Sequence, residues 1–207
     1  MRSQTSILAL ALASTGTALP TIPFTTPYET IPTLNSPAIL PRQQACFVIG
    51  SETLPDETQQ IAEALASSVT CDTSKTTLSG VPDVTSNGFT FSTIDFSTSG
   101  QSPLEFALNT FFAADTLADS NLSAFEAARD VYLATEAGIR SVGGNLAIKV
   151  PKFFLEFQVS RIQTAQGNPP TEAGLQVDHL LDKVLTNGAG EDQALLDQVT
   201  ALAAQLQ

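Results

Sequence analysis

The sequence has no tryptophan, and its 207 residues include one histidine, one methionine, two tyrosines and two cysteines. Each scarcity narrows the chemistry. His179 is the only imidazole, so a Ser-His-Asp arrangement has a single possible base. No serine stands in a Gly-x-Ser-x-Gly elbow. His179 reads as a helix residue beside the solvent carboxylates Asp178 and Asp182. Di-iron carboxylate bundles need two Glu-x-x-His pairs, so Glu105, Glu126 and Glu136 lack the imidazoles that would complete such a site. There is no Cys-x-x-Cys for zinc and no EF-hand pattern for calcium. Gly188-Ala189-Gly190-Glu191-Asp192 reads as an acidic helix start. No metal and no cofactor is expected. Sugar sites commonly stack their ligands on exposed Trp or Tyr, and Tyr132 is the only tyrosine beyond residue 42. A lectin is therefore disfavoured.

Long apolar runs are also missing, apart from Ile7–Ala13. A spanning helix needs about 20 apolar residues, and this run is far shorter. Arg2 precedes it, and small residues with Gly16 and Ala18 follow, which is the pattern of a secretory signal over residues 1–18 cut after Ala18. Residues 19–42 contain Pro20, Pro23, Pro27, Pro32, Pro37 and Pro41. Such spacing forbids both helix and sheet, so this stretch reads as an extended leader. Its end at Pro41-Arg42 leaves two readings open, a propeptide removed after Arg42 and an uncleaved linker.

Positive charge is the third scarcity. Without Arg2, Arg42 and Glu29, the 9 basic and 21 acidic residues fall to 7 and 20, a formal charge of −13. That charge repels polyphosphates, so nucleic acid is a poor partner, and no later segment is apolar enough to make a membrane span. Four of the seven cations, Arg140, Lys149, Lys152 and Arg161, cluster around Ser141-Val142-Gly143-Gly144-Asn145. Glycine-rich backbone beside fixed cations can form an anion nest. Arg140, Gly143, Gly144, Lys149 and Lys152 are therefore candidate anion or ligand contacts, against the plainer reading that the cations neutralise nearby carboxylates.

What the chain has is one export-compatible cysteine pair and enough length for a core. Cys46 and Cys71 are expected to form a disulfide. Asn121-Leu122-Ser123 is a sequon, with Asn121 the glycan acceptor. Residues 43–207 suit one globular domain. Cys46–Ile49 reads as a short strand, followed by a helix from Pro55 to Val69. Thr76–Leu78 and Phe89–Ile94 read as strands around an Asn87-Gly88 turn. Ser102-Pro103-Leu104-Glu105 opens a second helix and Ser123-Ala124-Phe125-Glu126 a third. Residues 151–163 fit either a strand, by alternation, or a buried helix, by length and the Gly167 stop. Two further helices are expected, over about 171–185 and 192–206. The fold class is α+β, a helix-rich single domain with a small N-terminal sheet and about four to five helices.

Ala45-Cys46-Phe47-Val48-Ile49-Gly50, Leu78–Val84, Arg140-Ser141-Val142-Gly143-Gly144 and Lys149–Leu155 resemble a family of uncharacterised secreted proteins of filamentous ascomycete fungi. The resemblance covers about residues 45–167. It implies an extracellular fungal setting, and it implies no activity. The expected function is that of a secreted, non-catalytic binding or interaction module with an unknown extracellular ligand or protein partner. Two alternatives stay open: a secreted hydrolase using paired carboxylates, and a carrier of apolar ligands built on Phe153, Phe154 and Phe157.

Overall fold

The computed structural model describes residues 44–207, so the expected signal peptide and leader lie outside the described residues. Within them are six α-helices and one three-stranded antiparallel sheet. The fold is α+β and helix-rich. A single cluster of buried side chains runs from Ala45 to Val199.

The chain enters through a turn at Cys46 and Phe47, where a strand was expected. Val48 N donates to Ala45 O at 3.0 Å and closes that turn. Phe47 is fully buried, so its hydrophobicity fills the core without any ladder. Helix α1, Asp56–Leu65, starts after Pro55, which cannot donate a hydrogen bond and loses nothing there. Asp56 and Glu57 in its first turn suit the positive end of the helix dipole. The helix ends four residues short of Val69, which is still buried.

The sheet consists of β1 (Thr70–Thr76), β2 (Pro82–Ser86) and β3 (Phe89–Thr90), in that order. Cys71 pairs with Val84, and Thr85 with Thr90. The Asn87-Gly88 turn forms as expected, with φ of 44° and 89°, but it joins β2 to β3. The central strand β2 was not expected, because Pro82 and Asp83 hide it. Leu78 instead lies in a single 3-10 turn, Leu78–Gly80. Asp83 is buried and pairs with Lys75 at 3.1 Å, while also accepting the Ser92 N–H at 2.9 Å. A charge inside the sheet is tolerated only with such partners.

Helix α2, Pro103–Thr110, has the expected Ser102 cap and Pro at its start. Helix α3, Leu122–Ser141, is capped by Asn121, whose side chain accepts from Ala124 N. The cap was expected at Ser123, which instead donates to Asn121 Oδ1 at 2.8 Å. Helix α4 spans Lys149–Ala165 and settles the ambiguous segment as helix. Eleven of its residues, on every side, are buried, because it packs against α2, α3 and α5. The strand-like alternation has no structural meaning there. Helices α5 (Val177–Asn187) and α6 (Gln193–Ala203) close the fold. Tyr132 of α3 sits at the centre of an aromatic cluster, fully buried, and donates its hydroxyl to Ile94 O at 2.6 Å. Phe91, Phe96 and Phe111 surround it at centroid distances of 5.3, 6.5 and 5.7 Å.

The disulfide forms, with the Cα atoms of Cys46 and Cys71 6.0 Å apart. It ties the entry turn to β1. Among the described residues no helix is long and apolar enough to cross a membrane.

A cationic recess as the candidate functional site

Helical spacing brings the basic cluster together. Leu133, Glu136 and Arg140 recur at three and four residues on one face of α3. Lys149, Lys152 and Phe153 do the same in the first turn of α4. These two faces meet Glu57, Thr58 and Ile61 of α1 and Lys183 of α5 around a recess of about 180 Å³. Lys183 was not among the expected residues. It is distant in sequence, and only the packing of α5 against α4 delivers it.

Glu136 organises the floor. It is 4% exposed, and one of its oxygens accepts from Arg140 Nε and Nη2 at 2.8 and 2.7 Å. Its other oxygen lies 3.2 Å from Lys152 Nζ. Lys152 is itself buried, stands 3.9 Å from Glu156, and lies 3.6 Å from the centroid of the Phe153 ring. Burial pushes the Glu156 carboxyl above its ordinary range, against the pull of Lys152. Arg140 and Lys152 therefore follow the plainer expectation of charge neutralisation. Lys149, half-buried, and Lys183, exposed, make no ion pair among the described residues. Four cations and two carboxylates line the recess, giving it a positive balance in a strongly negative domain.

Gly143 and Gly144 do not line the recess. They terminate α3. Gly143 N donates to Arg140 O at 3.1 Å, and Gly144 N to Ile139 O at 2.9 Å. With Gly143 at φ 67°, this is the paired hydrogen bonding of a Schellman motif. A side chain at Gly144 would meet Ser79 Oγ at 2.5 Å. The glycine pair thus orients the connection that returns Lys149 and Lys152 to the side of Arg140. No backbone nest is required. Arg161, the fourth cation of the sequence cluster, faces elsewhere, onto a separate cavity.

The remaining candidates scatter. His179, Asp178 and Asp182 are exposed on α5. No group of three His, Cys, Asp or Glu side chains among the described residues could hold a metal ion. Glu191 accepts the Leu104 N–H at 3.1 Å, and Asp192 caps α6. Asn121 is exposed, as a glycan acceptor must be. The three phenylalanines proposed to line one apolar pocket diverge: Phe153 lines the recess, Phe154 lines the separate cavity, and Phe157 is fully buried.

Residues 48–207 match a domain of unknown function, DUF7143, and the chain belongs to that family. No curated protein and no solved structure matches the chain.

Proposed function

We propose that this DUF7143 protein is an exported, non-catalytic extracellular module that binds a small anion in the recess between α1, α3, α4 and α5. The observation that carries this reading is the state of Lys149 and Lys183, two cations without carboxylate partners beside a saturated Glu136–Arg140–Lys152 network. In a domain with an excess of acids, cations left unpaired at one place point to a ligand that supplies the negative charge. Lys149 and Lys152 also occupy the first turn of α4, where the positive end of the helix dipole would ordinarily favour acids. The fields add, and an anion would be attracted by both. The volume suits a sulfate, a phosphate or a short dicarboxylate.

The extracellular assignment is supported by the signal-like N-terminus, the disulfide and the resemblance to secreted fungal proteins. Glycosylation at Asn121 belongs to the same proposal. The absence of catalysis is supported by the state of the buried carboxylates. Glu136 and Glu156 approach each other only across Lys152, which holds both. A hydrolytic pair needs two carboxyls facing a substrate with distinct proton affinities.

The test is calorimetric titration of the secreted protein with sulfate, phosphate and malonate at low ionic strength, where screening is weakest. Saturable binding of one of them, weakened at least tenfold in a Lys149→Ala/Lys183→Ala double variant, is expected. Heat-free titrations with all three, or turnover of glycosidase, esterase or peptidase substrates by the pure protein, would refute the reading.

A further inference from the structure

A cavity of about 510 Å³ lies on the other side of α4, lined by residues of α2, α4 and α6. Leu108, Phe154 and Leu202 supply its apolar wall, and Gln158, Gln198 and Arg161 its polar wall. This volume falls within the range of small-molecule sites. The exposed Phe112, 74% accessible, stands at its edge.

Arg161 is the unusual member. The residue is 3% exposed, yet it makes no ion pair among the described residues. Its guanidinium donates to the Gln158 side-chain oxygen and, at 2.9 Å, to Gln205 O, while its Nε is buried without a partner. Gln158 is held for this role, because its own amide donates to Phe111 O at 2.7 Å. Burial alone lowers the guanidinium to about 10, since no neighbouring charge compensates it. Buried charges are ordinarily paired, and this domain has acids to spare. A guanidinium presents its N–H groups in a fork that matches a carboxylate. Asp115, exposed on the cavity lining, would repel a second negative charge on the same ligand.

We propose that this cavity is a second binding site, for an organic monocarboxylate with an apolar body, whose carboxylate serves as the counter-ion of Arg161. The inference is independent of the anion recess, with which the cavity shares no residue.

The probes are octanoate and 1-octanol, which share an apolar chain and differ in the carboxylate. Titration of the secreted protein is expected to show saturable binding of octanoate, with octanol at least tenfold weaker. Arg161→Gln should reduce octanoate to the affinity of octanol. Ala201→Trp, which fills the cavity from an exposed position on α6 and leaves Arg161 untouched, should abolish binding of both while circular dichroism stays unchanged. The proposal is overturned if octanoate does not saturate, if octanol binds equally well, or if Ala201→Trp binds octanoate like the parent.

Discussion

Gly50 lies against Ser141 so closely that a side-chain carbon on Gly50 would stand 1.9 Å from the Ser141 carbonyl oxygen. The same serine fastens the entry segment through its side chain. Its Oγ accepts from Ile49 N and Gly50 N at 3.2 and 3.0 Å and donates to Gly138 O at 2.6 Å. Its carbonyl accepts from Glu52 N at 3.0 Å. Gly138 is equally constrained, with Phe47 O 2.6 Å from where its Cβ would lie. Both glycines exist for backbone approach, since neither has positive φ.

Gly50→Ala must therefore push the entry segment off α3, because the obstructing atom is backbone and cannot rotate away. A loss of about 3 kcal/mol is expected, read as a fall in melting temperature of about 6–12 °C. Ser141→Ala, which leaves two N–H groups without their acceptor, should cost about 1–3 kcal/mol. Calorimetric unfolding checks both, and a Gly50→Ala protein as stable as its parent would mean the contact is not maintained.

Cys46 and Cys71, 25 residues apart, close a loop around α1. In the chain-entropy account such a bridge stabilises by about 3 kcal/mol. Replacing both by serine should lower the melting temperature by about 6–12 °C without abolishing the fold, because the aromatic cluster around Tyr132 lies outside the loop. Mass analysis of the intact purified protein under non-reducing conditions should find no free thiol.

Glu156 titrates in the opposite sense to an ordinary paired carboxylate. Burial raises it above its unfolded value of about 4.3, so the folded state favours the protonated acid. Its contribution to stability is complete below about pH 4 and is lost as pH rises through the folded value. Glu156→Gln mimics the protonated form. The variant is expected to exceed the parent in stability at pH 7 and to match it near pH 4. A difference that stays constant between those pH values would contradict the assignment.

At Asn121 the cap and a glycan would use different atoms. Oδ1 accepts from Ala124 N and from Ser123 Oγ, whereas a glycan would be attached to Nδ2. Asn121→Asp should remove any glycan while keeping the cap, and Asn121→Ala should lose both, with about 1 kcal/mol of additional destabilisation. Comparing the two by electrophoretic mobility and by thermal unfolding separates the roles.

The legible parts of the fold were those governed by local rules. Ser102-Pro103 opens α2, Asn87-Gly88 makes a turn and Gly167 ends a helix run, each by backbone chemistry within a few residues. The parts that failed depended on distant partners. Strand β2 begins with a proline and carries a buried Asp83, and only Lys75 and Ser92 make that burial tolerable. Helix α4 is surrounded, so its apolar residues follow no single period. In the candidate site, sequence proximity pointed to Arg140, Lys149 and Lys152, which line one recess, and to Gly143 and Gly144, which end α3 instead. Lys183 had no signal at all, since nothing in a lone exposed lysine reveals which helix it will face.

On the proposed anion-binding reading, Glu136 sets robustness against affinity. Its single carboxylate clamps α3 to α4 through Arg140 and Lys152, and in doing so it subtracts a negative charge from the recess that an anion would otherwise enjoy. Neutralising it would make the recess more attractive to a ligand and simultaneously strand two inward-facing cations, so the empty protein would become the weaker form. On the proposed reading, a variant neutral at this position would gain more stability from a bound anion than the parent does.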